Sequence, residues 1–94
     1  MDAANTTTKK LDAFLTRPLR ECALTDVPGV GEVAHAKLVA ASEIRTAEQL
    51  LGQFMLLGSE RMLNWLKDAG EIRTQEALRI NEALAAKADR VAGL

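Results

Sequence analysis

The sequence predicts an all-α fold, a compact bundle of about five or six short helices in one domain. Apolar residues recur at helical spacing through most of the chain, only 3% of residues are aromatic, and isolated Gly and Pro residues separate the apolar stretches. A chain of 94 residues can bury one hydrophobic core but not two. We therefore expect a flexible N-terminal tail over 1–8 and a single helical domain over 9–94.

The individual helices follow from apolar spacing and from residues that begin or end a helix. The first is expected from about Lys9 to Thr16, because Pro18 disfavours helical backbone at the residue before it. Thr46 and Gln49 have the spacing of a capping box. On the last helix, Lys87 is expected to be solvated. After a short helical turn near 21–25, the remaining helices are expected over about 31–41, 47–57, 60–69 and 75–91.

The segment Val27-Pro28-Gly29-Val30-Gly31 lies between two helical patterns and predicts the tight turn of a helix-hairpin-helix motif. Gly29 and Gly31 can adopt positive φ at no Cβ cost, and Pro28 fixes the entry to the turn and removes one donor. The remaining amides are followed at once by a helix N-terminus, which carries a partial positive charge. Such a turn is a concave anion site, and phosphate is its natural ligand.

Two side chains after the hairpin have alternative interpretations. Lys37 lies on the helix that follows and is a candidate for one more phosphate contact; the alternative is a solvated lysine. His35 has no second His or Cys at metal-binding spacing, so we interpret it as a surface or packing residue.

Composition excludes several classes of protein. The net charge of −1 and the pI near 5.8 argue against nucleic-acid binding by bulk positive charge, so any DNA contact must be local. No apolar run has the length of a membrane span, and the first ten residues are neither a signal peptide nor an anchor. We expect no membrane insertion and no secretion.

The residues that enzymes and metal sites need are missing as well. The single cysteine, Cys22, excludes an internal disulfide and a cysteine metal cluster, and is interpreted as a buried or idle thiol. The chain has no paired carboxylates with a cleft, no Ser/His/Asp set and no Walker-type loop. We expect no enzymatic activity, no metal and no cofactor.

The helix over 47–57 is apolar around nearly its whole circumference, which one core face of a small domain cannot absorb. Gly52 within it costs about 1 kcal/mol relative to alanine and suggests a close backbone approach. We infer a self-association surface; the alternative is a central core helix. Trp65, the sole tryptophan, belongs to the core or to an interface. Met55 and Trp65 are candidate interface residues.

Three blocks in order carry a family resemblance: Gly29-Val30-Gly31-Glu32-Val33, Leu51-Gly52-Gln53-Phe54 and Trp65-Leu66-Lys67-Asp68. At spacings that need almost no gaps, they resemble the barrier-to-autointegration factor family over roughly 6–84. The resemblance implies a SAM-like helical bundle that forms a two-fold homodimer. It also implies non-specific binding of double-stranded DNA through the hairpin and bridging of two duplexes.

The resemblance further implies a cellular role and specific contacts. Family members act in chromatin and in nuclear-envelope reassembly, in the nucleus and cytoplasm, and bind LEM-domain proteins. Phosphates would be contacted by the hairpin amides, by the start of the first helix and by the start of the last. Those positions are Gly29, Val30, Gly31 and Val33, then Thr8 and Lys9, then Arg73, Thr74 and Gln75. The resemblance also implies that the segment Leu51, Gly52, Gln53 and Phe54 lies at or beside the dimer interface.

This chain departs from the family pattern in places. Glu76 stands in the first turn of the last helix, where an acid repels an approaching phosphate, so we expect reduced DNA affinity. Gly58 and Ser59 follow 55–57 where the family has lysines, which bears on LEM-type partners.

The N-terminal threonines also have two interpretations. Thr6–Thr8 occupy the place where family members are phosphorylated to release DNA, and added negative charge would oppose phosphate binding. The alternative is an ordinary disordered tail.

An alternative function remains open. In it the hairpin only turns the chain, and the apolar helix over 47–57 makes the protein an interaction module with little or no DNA binding. The acidic pI favours this alternative.

Overall fold

Five α-helices and two short 3-10 helices make up the part of the chain that the structure, a computed structural model, describes: residues 3–92, with side chains over 9–91. The all-α prediction is confirmed. The helices are α1 (Ala3–Thr16), α2 (Glu32–Ala41), α3 (Ala47–Leu57), α4 (Ser59–Asp68) and α5 (Thr74–Ala92), with 3-10 turns at Leu19–Glu21 and Leu24–Asp26.

The core lies around α5, which packs against α1, α3 and α4. The fully buried side chains of the core come from every α-helix and from the hairpin before α2. Hydrophobic burial of this kind is the main force holding a small domain together. The largest of these side chains are Phe14, Leu24, Val27, Val30, Leu38, Leu50, Met62, Leu66, Ile80 and Leu84.

Helix α1 begins at Ala3, earlier than the expected start at Lys9. No Gly or Pro interrupts the sequence between Ala3 and Thr16, and alanine is the strongest helix former. The flexibility expected for 1–8 stays a prediction, and Met1 and Asp2 lie outside the described residues.

The start of α3 has the predicted capping box. The Gln49 amide donates to Thr46 Oγ1 at 3.1 Å, and the Thr46 amide donates to Gln49 Oε1 at 3.2 Å. Gly58 then ends α3 with a φ of +83°, which turns the chain directly into α4.

Lys87 is not solvated as the sequence analysis expects; only 4% of it is exposed. Its Nζ donates to the carbonyl oxygens of Phe14 at 2.8 Å, Arg17 at 2.7 Å and Leu15 at 3.3 Å. The ammonium also lies 5.3 Å from the centre of the Phe14 ring. The last carbonyls of a helix have no hydrogen-bond donor within that helix. Lys87, a residue of α5, supplies the missing donors at the end of α1.

Cys22 is a free and buried thiol, in agreement with its interpretation as a buried or idle thiol. Burial raises the pKa of its thiol above the ordinary value, because desolvation disfavours the thiolate. The thiolate is the reactive form, so the structure gives Cys22 a packing environment rather than a reactive one.

Helix α3 divides its apolar residues between the core and the surface. Leu51 and Phe54 are buried in the protomer's own core, whereas Met55 is 62% exposed and Leu56 74% exposed. A Cβ at Gly52 would have no atom within 4 Å, so the close backbone approach expected there does not occur within the described protomer.

Candidate nucleic-acid interface

The hairpin before α2 is a type II turn. The Val30 amide donates to the Val27 carbonyl at 2.9 Å, Pro28 occupies the second position and Gly29 has a φ of +94°. Gly31 is different from the expectation, since its φ of −92° is ordinary extended backbone. Only the first of the two glycines therefore needs positive φ; the turn reverses the chain at Gly29, and Gly31 already starts the approach to α2.

The hairpin buries its side chains and leaves backbone at the surface. Val27, Pro28 and Val30 are buried, and Gly31 is exposed. A Cβ on Gly29 would lie 2.8 Å from Ile80 Cγ1 and 3.0 Å from the Glu76 carbonyl oxygen. The missing side chain of Gly29 thus lets the turn pack directly against the first turns of α5.

The start of α2 leaves donors unpaired. Gly31 precedes the helix without a side-chain cap, and within the described residues no hydrogen bond uses the amides of Glu32, Val33 and Ala34. These are the amides that a helix N-terminus offers to an anion. The Val30 amide does not join them, because the turn itself uses it; its expected phosphate contact stays a prediction.

A surface cavity of about 310 Å³ lies where the hairpin, α2 and the start of α5 meet. Five of the residues expected to bind DNA line it: Gly29, Gly31, Val33, Lys37 and Arg73. The lining also includes residues that were not candidates for DNA contact, namely Glu32, Ala34, Ile72 and Glu76.

The other candidates lie elsewhere. Lys9, Thr74 and Gln75 are exposed but do not line the cavity. Thr8 lies in α1, and its side chain is outside the described residues, as are those of Thr6 and Thr7.

Lys37 is held at the cavity by a bond to the loop before α5. Its Nζ donates to the Glu71 carbonyl at 2.8 Å, and Glu71 has a φ of +53°, which is unusual for a residue other than glycine. An ammonium has three protons, so Lys37 keeps donors for a phosphate while it fastens this loop to α2. The sequence has no signal for this bond, because its acceptor is a backbone atom 34 residues away.

The charges around the cavity balance. Lys37 and Arg73 are opposed by Glu32 and Glu76, which line the same space. Glu32 is exposed, whereas Oε1 of the half-buried Glu76 is shielded from solvent and has no hydrogen-bond partner in the described residues. Attraction of an anion to this cavity therefore depends on the amides and on where each charge lies, as the overall net charge of −1 also suggests.

A family model described as barrier to autointegration factor matches residues 5–91. The chain belongs to this family. The barrier-to-autointegration factor family is a family of non-enzymatic DNA-binding proteins with a helical fold. The match covers the hairpin, α2 and nearly all of α5. The resemblance noted from the three sequence blocks ended at 84 and so covered α5 only in part.

Other comparisons add less. A search of curated proteins finds no significant match. No helix in residues 3–92 is long and apolar enough to cross a membrane. Among the same residues, no three His, Cys, Asp or Glu side chains are grouped so that they could hold a metal ion.

Proposed function

We propose that this protein binds double-stranded DNA without sequence preference, through the phosphate backbone, at the cavity between the hairpin and α5. A two-fold homodimer presents two such cavities and bridges two duplexes. Family membership supports DNA binding in general terms. The observation that carries the proposal is that Glu32, Val33 and Ala34, whose amides are unpaired, line the same cavity as Lys37 and Arg73.

The mechanism follows from these donors. A phosphate oxygen accepts hydrogen bonds from the first-turn amides of α2, and the partial positive charge of the helix N-terminus adds to the attraction. Lys37 and Arg73 supply two full charges from the flanks of the cavity. Contacts with phosphate carry no sequence information, so the binding is non-specific.

Gly31 keeps the cavity open for this contact. A Cβ at Gly31 would meet no atom within 4 Å, and the residue is exposed, so packing within the protomer does not require glycine here. The absence of a side chain instead leaves the amides of the first turn of α2 accessible to a ligand. Gly29 and Gly31 thus have separate roles, the first in packing and the second in access.

The outer face of α3 supports the proposed dimer. On α3, Gly52, Met55 and Leu56 are exposed and Gln53 is half-buried; Trp65, on α4, is half-buried as well. Exposed apolar side chains next to a glycine allow a second copy to approach closely. Leu51 and Phe54, two of the candidate interface residues, are already buried at 3% and 9% exposure and have little surface to offer.

We further propose, on family membership alone, a role in chromatin in the nucleus and cytoplasm. LEM-domain-like proteins are proposed partners on the same ground, although Gly58 and Ser59 replace the lysines that the family has after α3.

A second candidate function is a protein-interaction module that uses α3. The exposure of Met55 and Leu56 favours it, because the same face would suit a different protein as well as a second copy. This candidate requires no DNA binding, so the two functions are separated by a DNA titration.

The first prediction concerns Gly31→Glu, compared with wild type in gel shifts on a short duplex at two salt concentrations. The carboxylate fills the mouth of the cavity, so we expect binding to be lost. For about three or four phosphate contacts, wild-type affinity should fall roughly 40- to 150-fold between about 50 and 200 mM salt.

Ala85→Glu is the control for Gly31→Glu, because it adds the same charge at an exposed position of α5 away from the cavity. It should bind DNA much as wild type does. Absence of wild-type binding at low salt, in a folded protein, would contradict the proposed DNA function and favour the interaction module.

A further inference from the structure

The cavity proposed to bind phosphate contains a carboxylate that nothing in the described residues neutralises. Glu76 lies in the first turn of α5, and its Oε1 is shielded from solvent without a hydrogen-bond partner. It has no salt bridge with Lys37 or Arg73, although all three line the same cavity. A buried acceptor without a partner costs free energy, so its presence calls for a functional explanation.

We propose that Glu76 limits the affinity of the cavity for DNA phosphate through a repulsion that weakens as salt is raised. This inference rests on the proposed DNA function and deepens it. The cavity attracts phosphate less strongly than its amides, Lys37 and Arg73 alone would, because a negative charge shares its space.

Shielding distinguishes Glu76 from Glu32, the other acid at this cavity. Glu32 is exposed at the first position of α2, where water and salt screen its charge and the side chain is free to turn away. Glu76 is half-buried, and solvent does not reach one of its carboxylate oxygens. A charge in a less polar environment acts more strongly on a neighbouring phosphate.

The test compares three variants that each remove one negative charge: Glu76→Gln, Glu32→Gln and Glu82→Gln. Glu82 is exposed on α5 and does not line the cavity, which makes it the matched control. Affinity for a short duplex is measured by anisotropy over a range of salt concentrations. Melting temperature and solution mass of each variant establish that fold and oligomeric state are unchanged.

We expect Glu76→Gln to bind about three- to tenfold more tightly than wild type near 50 mM salt, with less than a twofold gain near 500 mM because salt screens the removed repulsion. Glu32→Gln should gain less, and Glu82→Gln least. A gain for Glu76→Gln that does not change with salt would indicate a change of cavity shape and contradict the inference. Glu76→Ser provides a second neutral variant, for which the same order is expected.

The outcomes separate this inference from the proposed function. If wild type binds DNA and Glu76→Gln behaves like Glu82→Gln, only the inference is wrong. If Glu76→Gln binds and wild type does not, the inference holds and the proposed function is wrong for the native chain. If none of these proteins binds at low salt, both are wrong.

Discussion

At the scale of single residues, Lys87 shows how one side chain joins two ends of the fold. Lys87 is a residue of α5, and its ammonium donates to three carbonyl oxygens at the end of α1. The α5 face that carries Lys87 also carries Ile80 and Leu84, which are fully buried. The bond therefore fixes the end of α1 against the helix at the centre of the core.

The second prediction is that Lys87→Met destabilises the protein. Methionine fills a similar volume but leaves the carbonyls of Phe14 and Arg17 without their donor, which costs about 2 kcal/mol. The melting temperature should fall by roughly 8–16 °C at fixed protein concentration. It is measured by circular dichroism.

Lys67→Met is the control for this loss, because Lys67 is exposed on α4. It removes the same charge and should leave the melting temperature close to that of wild type. Equal melting temperatures for the two variants would mean that the buried ammonium adds nothing to stability.

At the scale of elements, α2 and α3 differ in the chemical groups that they expose for a partner. Helix α2 leaves amides unpaired at its start, and α3 leaves apolar side chains exposed near its end. The first suits an anion and the second suits an apolar partner surface. The two features lie on separate elements, so each can be removed without the other.

The third prediction is that Gly52→Glu disrupts the proposed dimer and leaves the protomer folded. Within the protomer the added side chain meets nothing, since no atom lies within 4 Å of the Cβ position. A charge placed on an apolar contact between two copies is costly to desolvate. We expect light scattering to report a monomer with an unchanged helical circular dichroism spectrum.

Ala85→Glu again serves as the control, and it should remain dimeric. If Gly52→Glu is also dimeric, the face of α3 around Gly52 is not the interface.

At the scale of the whole molecule, local signals predicted the elements and missed the contacts between them. The Thr46 capping box and the turn at Gly29 depend on residues a few positions apart, so the sequence was sufficient to predict them. The bond from Lys37 to Glu71 depends on how the helices pack, which no local pattern contains.

The error at Lys87 has an identifiable physical cause. Lys87 was expected to be solvated because lysine usually is, although it lies three positions after the buried Leu84 on the same helical face. The turn at Gly29 adds a detail that the sequence analysis did not state: a type II turn uses the amide of its fourth residue, Val30, to close itself. Pro28 and Gly29 imply this turn type, so the detail was accessible from the sequence.

The candidate site was predicted in part. The hairpin, Lys37 and Arg73 were placed together by the sequence and the family resemblance, and they line one cavity. The sequence marked Glu76 as an acid opposed to phosphate, but burial of its Oε1 is visible only in the structure. That burial is the observation on which we propose Glu76 as a determinant of affinity.

The proposed bridging function is tested most directly by the mass of the protein in solution with and without a short duplex at low salt. We expect a dimer alone and, with duplex in excess, a complex of one dimer with two duplexes, because each cavity holds one phosphate backbone. The complex should dissociate as salt is raised. A monomer, or a dimer whose mass does not change when duplex is added, would contradict a dimeric DNA bridge.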